Sequence, residues 1–138
     1  MGCHFDGMDV ETWAQEALVD ILVTGVRSSD VDIAGFRRVT EGTGIKLHSS
    51  WDDDHSSNGY HQAPVEVIRG VYANWWRQGP DSVHTFNLCH PSPEAETRAG
   101  SVYPLFDRTG EEKPWDELCQ INREIGSLET LEGKDKVF

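Results

Sequence analysis

Three consecutive carboxylates, Asp52, Asp53 and Asp54, stand directly ahead of His55. A carboxylate at such a place can act as nucleophile or general base, and a like charge beside it raises its pKa. Three adjacent side chains cannot all enter one pocket, so Asp52 is the candidate catalytic residue, and a solvated polar loop accounts for the run equally simply. Cleavage of a glycosidic bond needs two carboxyl groups roughly 5 to 9 Å apart. One cluster cannot supply both, so the second group has to come from residues outside this chain or from another chain. Trp51, Tyr60 and Phe86 bring flat aromatic faces that can stack on a sugar ring, while Ser49 and Asn87 can hydrogen-bond its hydroxyls. Core packing explains any one of these rings as well. Trp13, Trp75, Trp76 and Trp115 fall on helical stripes and read as packing.

Other chemistries find less support. His48 and His84 sit within strand-like runs, where a histidine is usually a hydrogen-bonded structural group, and His48 is in phase with Ser50. The pairs His55 with His61 and Cys89 with His90 lack a third ligand at a characteristic spacing, so no metal site is expected. Cys3, Cys89 and Cys119 form no CxxC pair and read as reduced thiols. No GxSxG elbow surrounds Ser49, Ser50 or Ser82. Neither GxGxxG nor GxxxxGK[ST] appears, so no nucleotide cofactor is expected.

Four helices and three strands must position these residues. Asp9 can cap a helix carrying Val10, Trp13, Ala14, Ala17 and Leu18, and the run Asp20 to Thr24, closed by Gly25, reads as a buried strand. Asp30 or Asp32 caps a second helix with Ile33, Phe36 and Val39; Gly42 and Gly44 end it, and a strand follows from Ile45 to Ser49. A third helix starts at Pro64 and gathers Val65, Ile68, Val71, Tyr72, Trp75 and Trp76 on one face. Gly79-Pro80-Asp81 stops it ahead of the strand Ser82 to Asn87. The last helix begins near Pro114 with Trp115, Leu118, Ile121 and Ile125 in phase, and Ser127 and Gly133 bracket a further short turn. This alternation predicts a parallel sheet with helical crossovers. Turns from helix into strand are tight and two of those from strand into helix are long, which places function beyond the C-terminal ends of the strands.

Composition narrows the partners. The chain has 138 residues, the size of one domain, and a formal charge of -12 from 24 acidic and 12 basic side chains. That charge, with no basic stripe to interrupt it, argues against nucleic acid and anionic membrane surfaces. The longest apolar runs, such as Ile21-Leu22-Val23, are far short of the roughly 20 residues that cross a bilayer. The stretch Met1 to Asp6 has neither the basic start nor the apolar core of a secretory signal.

Several segments together resemble the C-terminal part of bacterial glycoside-hydrolase-like TIM-barrel proteins. They are Gly7 to Trp13, Leu18 to Val23, Pro64 to Gly70 with Ala73 to Gly79, Thr85 to Asn87, and Glu124 to Leu131 with Gly133 to Lys136. The resemblance covers nearly all the chain except the loop from Cys89 to Glu112. It implies that residues 1–138 are the last three βα units of a (β/α)8 barrel, with the strands as its sixth, seventh and eighth. A whole barrel takes about 250 residues, so the chain would be a fragment. The implied function is glycoside-hydrolase-like, acting on a carbohydrate with Asp52 at the end of the seventh strand. A non-catalytic carbohydrate-binding or assembly module on the same scaffold is the alternative, and a free-standing flavodoxin-like domain a third. A barrel fragment would expose inward-facing Val23, Leu47 and Phe86, and so is expected to self-associate or to need its missing N-terminal segment.

Overall fold

The computed structural model describes residues 7–26, 28–52, 63–86, 109–111 and 115–137; the side chains of Val26, Asp52, Trp115, Asp116 and Leu118 fall outside that description. Helix α1 spans Val10–Gln15. Asp9 caps it, accepting from the Thr12 amide at 3.1 Å and the Thr12 hydroxyl at 2.7 Å. The helix is shorter than its apolar spacing predicts, because Ala17 adopts a left-handed φ of 52°. Leu18 N then donates to Trp13 O at 2.9 Å and Ala17 N to Ala14 O at 3.4 Å, the paired bonds of a Schellman end built on alanine where glycine is usual. Leu18 is left exposed.

Strand β1, Ile21–Val26, runs on through Gly25 instead of stopping there. Helix α2, Ile33–Thr40, starts at Asp32, whose carboxylate accepts from the Gly35 amide at 2.7 Å. Strand β2, Lys46–Asp52, begins one residue late and ends three residues beyond the expected Ser49. Helix α3, Val65–Gln78, follows Pro64 and closes on Gly79, which has φ 82°. Strand β3 covers Ser82–Phe86. Helices α4, Trp115–Glu124, and α5, Leu128–Leu131, complete the element order.

The strands are all parallel, in the order β1-β2-β3. Register pairs Leu22 with Leu47, Thr24 with Ser49, Ser49 with Val83 and Trp51 with Thr85. Because side chains alternate along a strand, these residues share one face. That face is covered: Leu47 and Trp51 join Ile33 of α2 and Ile68, Tyr72 and Trp75 of α3 in a single buried core. The α4 and α5 residues Ile121, Ile125 and Leu131 extend the core behind α3. The Trp75 indole N–H donates to Ser29 O at 3.2 Å and that of Trp76 to Ile125 O at 2.8 Å, so both large rings are fixed by hydrogen bonds as well as by packing.

The barrel expectation is thereby corrected. The described residues form a small α/β domain with an open three-stranded parallel sheet and five helices. Residues expected to line one barrel interior fall on opposite faces of this sheet. Leu47 lies buried beneath the helices, whereas Val23 and Phe86 stand on the other side, 46% and 49% exposed. The cause is the register: Val23 pairs with His48, and Leu47 is one residue out of phase with both. The core is built between the sheet and the chain's own helices.

Candidate functional site

The second face of the sheet carries no helix among the described residues. Register assembles on it Ile21, Val23 and Gly25 from β1, Lys46, His48 and Ser50 from β2, and Ser82, His84 and Phe86 from β3. The alternation in β3 is the local reason. Val83 packs toward the core, whereas His84 and Phe86 project outward. His84 lies directly opposite Ser50, and His48 opposite Ser82. Both imidazoles therefore occupy one face of two adjacent strands.

Side chains reaching up from the core pin the backbone that carries them. The Thr24 hydroxyl donates to His48 O at 3.3 Å, and the Tyr72 hydroxyl donates to His84 O at 3.4 Å. At the C-terminal end of this face Phe86 is half exposed, one alternation beyond His84. At the opposite end Lys46 projects toward Asp81, 4.0 Å away. The described side chains of this face include the Phe86 ring, two imidazoles and two hydroxyls, of which that of Ser50 is buried; Asp52 is in the same register. This surface can stack a flat apolar ring face and hydrogen-bond its substituents.

The structure separates the residues singled out from sequence. Ser49 and Trp51 lie on the covered face, 0% and 3% exposed. The Trp51 ring packs 6.4 Å from Tyr72 at an interplanar angle of 48°. The Ser49 hydroxyl is buried without a hydrogen-bond partner among the described residues. Phe86 lies on the open face. Asp52 closes β2 opposite Phe86; its side chain, and the whole of Asp53, Asp54, His55, Tyr60 and Asn87, lie outside the described residues. Sequence reasoning set His48 and His84 aside as separate strand residues. Their shared face follows from inter-strand register, which local alternation does not contain.

Two charged clusters lie elsewhere and serve the scaffold. Asp81, at the turn from α3 into β3, accepts from Leu47 N at 2.8 Å and from Arg37 Nη2 at 2.9 Å. The Leu47 amide, with Arg37 behind it, holds the Asp81 carboxyl below its ordinary value against a weaker opposing effect of burial. Glu124 in α4 is bound by Arg69 at 2.8 Å, Gln120 at 2.9 Å and Lys134 at 3.0 Å. Burial by itself would raise the Glu124 pKa; Lys134, Arg69 and Gln120 outweigh it and lower the value. Among the described residues no group of three or more His, Cys, Asp or Glu could hold a metal ion. None of the described helices is long and apolar enough to cross a membrane. In comparison with known proteins, the chain matches no family model and no curated sequence.

Proposed function

We propose that this chain is a non-catalytic carbohydrate-recognition module whose binding surface is the open sheet face at its C-terminal end. The exposed Phe86 ring carries this reading, standing beside the outward-facing His84 on the strand-exit side. A pyranose has an apolar face that stacks on an aromatic ring and a rim of hydroxyls suited to imidazole partners. Recognition is the better fit than hydrolysis, because hydrolysis needs a pair of carboxyl groups and the register of the described strands brings a single carboxylate residue, Asp52, to this face.

The test is titration of the chain with a panel of soluble oligosaccharides by calorimetry, alongside an aryl-glycoside hydrolysis screen. Saturable binding without turnover, weakened about tenfold or more by Phe86→Ala, supports the reading. Binding indifferent to Phe86, or turnover by the chain itself, overturns it.

A second reading is favoured by a different observation. Ile21 and Val23 are as exposed as Phe86, at 50% and 46%, so exposed apolar side chains stand on both outer strands of the face, either side of Lys46 and His48 of β2. Parallel sheets are ordinarily covered on both sides. An assembly role, with a protein layer on this face, follows from that breadth. Size-exclusion chromatography with light scattering separates the two readings. A monomer that binds sugar supports recognition, whereas an oligomer dissociated by Val23→Lys supports assembly.

A further inference from the structure

A concavity lies in the helical layer, away from the open sheet face. It has a volume of about 530 Å³ and is lined by Arg77 at the end of α3, by Leu128, Glu129 and Leu131 of α5, and by Glu132, Gly133 and Lys136 after it. This volume falls within the range of small-molecule sites. Leu131 is fully buried at its base and Leu128 is partly exposed on its wall, which gives an apolar lining. Gly133 has φ 72°, and the space where a side chain would stand is open, so the backbone leaves the groove clear.

Most of the described cations outside the groove are ion-paired. Arg37, Arg38, Arg69, Lys46 and Lys134 each meet a carboxylate within 4.0 Å. Arg77 has no carboxylate partner among the described residues, although the chain carries twice as many acids as bases. Lys136 directs its ammonium to Lys134 O at 2.9 Å, a neutral carbonyl that positions the charge without cancelling it. Two cations with no carboxylate within 4.0 Å among the described residues thus flank an apolar base, with Glu129 and Glu132 on the same groove.

We infer that this groove is a binding site for a small amphipathic monocarboxylate, its apolar body on Leu128 and Leu131 and its carboxylate between Arg77 and Lys136. Arginine and lysine differ in what they offer such a group. The guanidinium can make a two-pronged contact, and the ammonium a point charge. Glu129 and Glu132 limit the ligand to one negative charge, because a second would meet them in the same small volume.

The test uses the whole chain with methyl-labelled leucine, followed by NMR during titration with N-acetyl-leucine and, as the carboxylate-free control, N-acetyl-leucinamide. Saturable shifts at Leu128 and Leu131, with a Kd of about 1 mM or tighter for the acid and about tenfold weaker binding of the amide, are expected. Arg77→Gln and Lys136→Gln each weaken the acid and leave the amide unchanged, with thermal melts verifying that both variants are folded. Absence of saturable shifts up to about 10 mM, equal binding of acid and amide, or a folded double variant that still binds the acid with full affinity would overturn the assignment. These readouts do not involve Phe86, so the outcome is independent of the carbohydrate reading.

Discussion

The Arg37 guanidinium and the Asp81 carboxylate meet at 2.9 Å, and together they tie one helix to two strands. Arg37 also donates from Nε and Nη2 to the carbonyl of Gly79 at 2.9 and 2.6 Å, holding the left-handed turn that ends α3. Asp81 in turn accepts from the Leu47 amide and donates its own amide to Leu47 O at 2.7 Å. One side chain from α2 thus fixes where β3 enters the sheet beside β2.

Removing that carboxylate should loosen the sheet at its N-terminal end. Asp81→Asn is expected to cost about 1 kcal/mol, a modest figure because the pair is partly exposed and screened by solvent. The Asp81 pKa is lowered on folding from an ordinary 3.8. Its contribution is therefore fully present above that ordinary value and is lost as pH falls through the lower folded value. Urea melts of wild type and variant should show a difference at pH 7 that narrows as the pH is taken below 3.8.

Glu124 is buried more deeply, and its loss should matter more. Glu124→Gln leaves Arg69, itself largely buried, without its counter-charge, and about 3 kcal/mol of stability is expected to go with it. The sign of the pH dependence matches that of Asp81, since the folded pKa is again the lower one. If chemical denaturation shows Glu124→Gln as stable as wild type, the cluster contributes charge balance alone.

Trp51 and Ser49 should respond as core residues. Trp51→Ala is expected to destabilise by about 3 to 5 kcal/mol, because it empties the space between β2 and Tyr72. Ser49→Ala removes a buried hydroxyl that has no partner among the described residues and should be neutral or slightly stabilising. Thermal melts of the two variants should move in different directions or by very different amounts.

Gly25 is a close-approach glycine within a strand. Its φ of 105° is unfavourable to other residues, and a Cβ there would overlap the backbone carbonyl of Ser50. Gly25→Ala should lower stability by more than about 2 kcal/mol. Gly42, at φ 76° with open space around it, carries only the conformational penalty, so Gly42→Ala is expected to cost about 1 kcal/mol. Denaturant midpoints of the two variants give the comparison directly.

The sequence by itself determined the alternation of helix and strand, the capping of α1 by Asp9, the stop of α3 at Gly79 and the apolar stripe from Val65 to Trp75. Each of these depends on spacing or on backbone chemistry within a few residues, which a linear reading captures. The tertiary structure decided the rest. Gly25 reads locally as a strand end, yet β1 continues through it because pairing with Ser50 supplies the hydrogen bonds that continue the ladder. Trp51 reads equally well as a binding platform or a core ring, and only the packing of Tyr72 against it settles which face of the sheet it occupies. His48 and His84 lie 36 positions apart in sequence. Their presence on one open face follows from the register of β2 against β3, a relation between distant segments set by the helices packed beneath them.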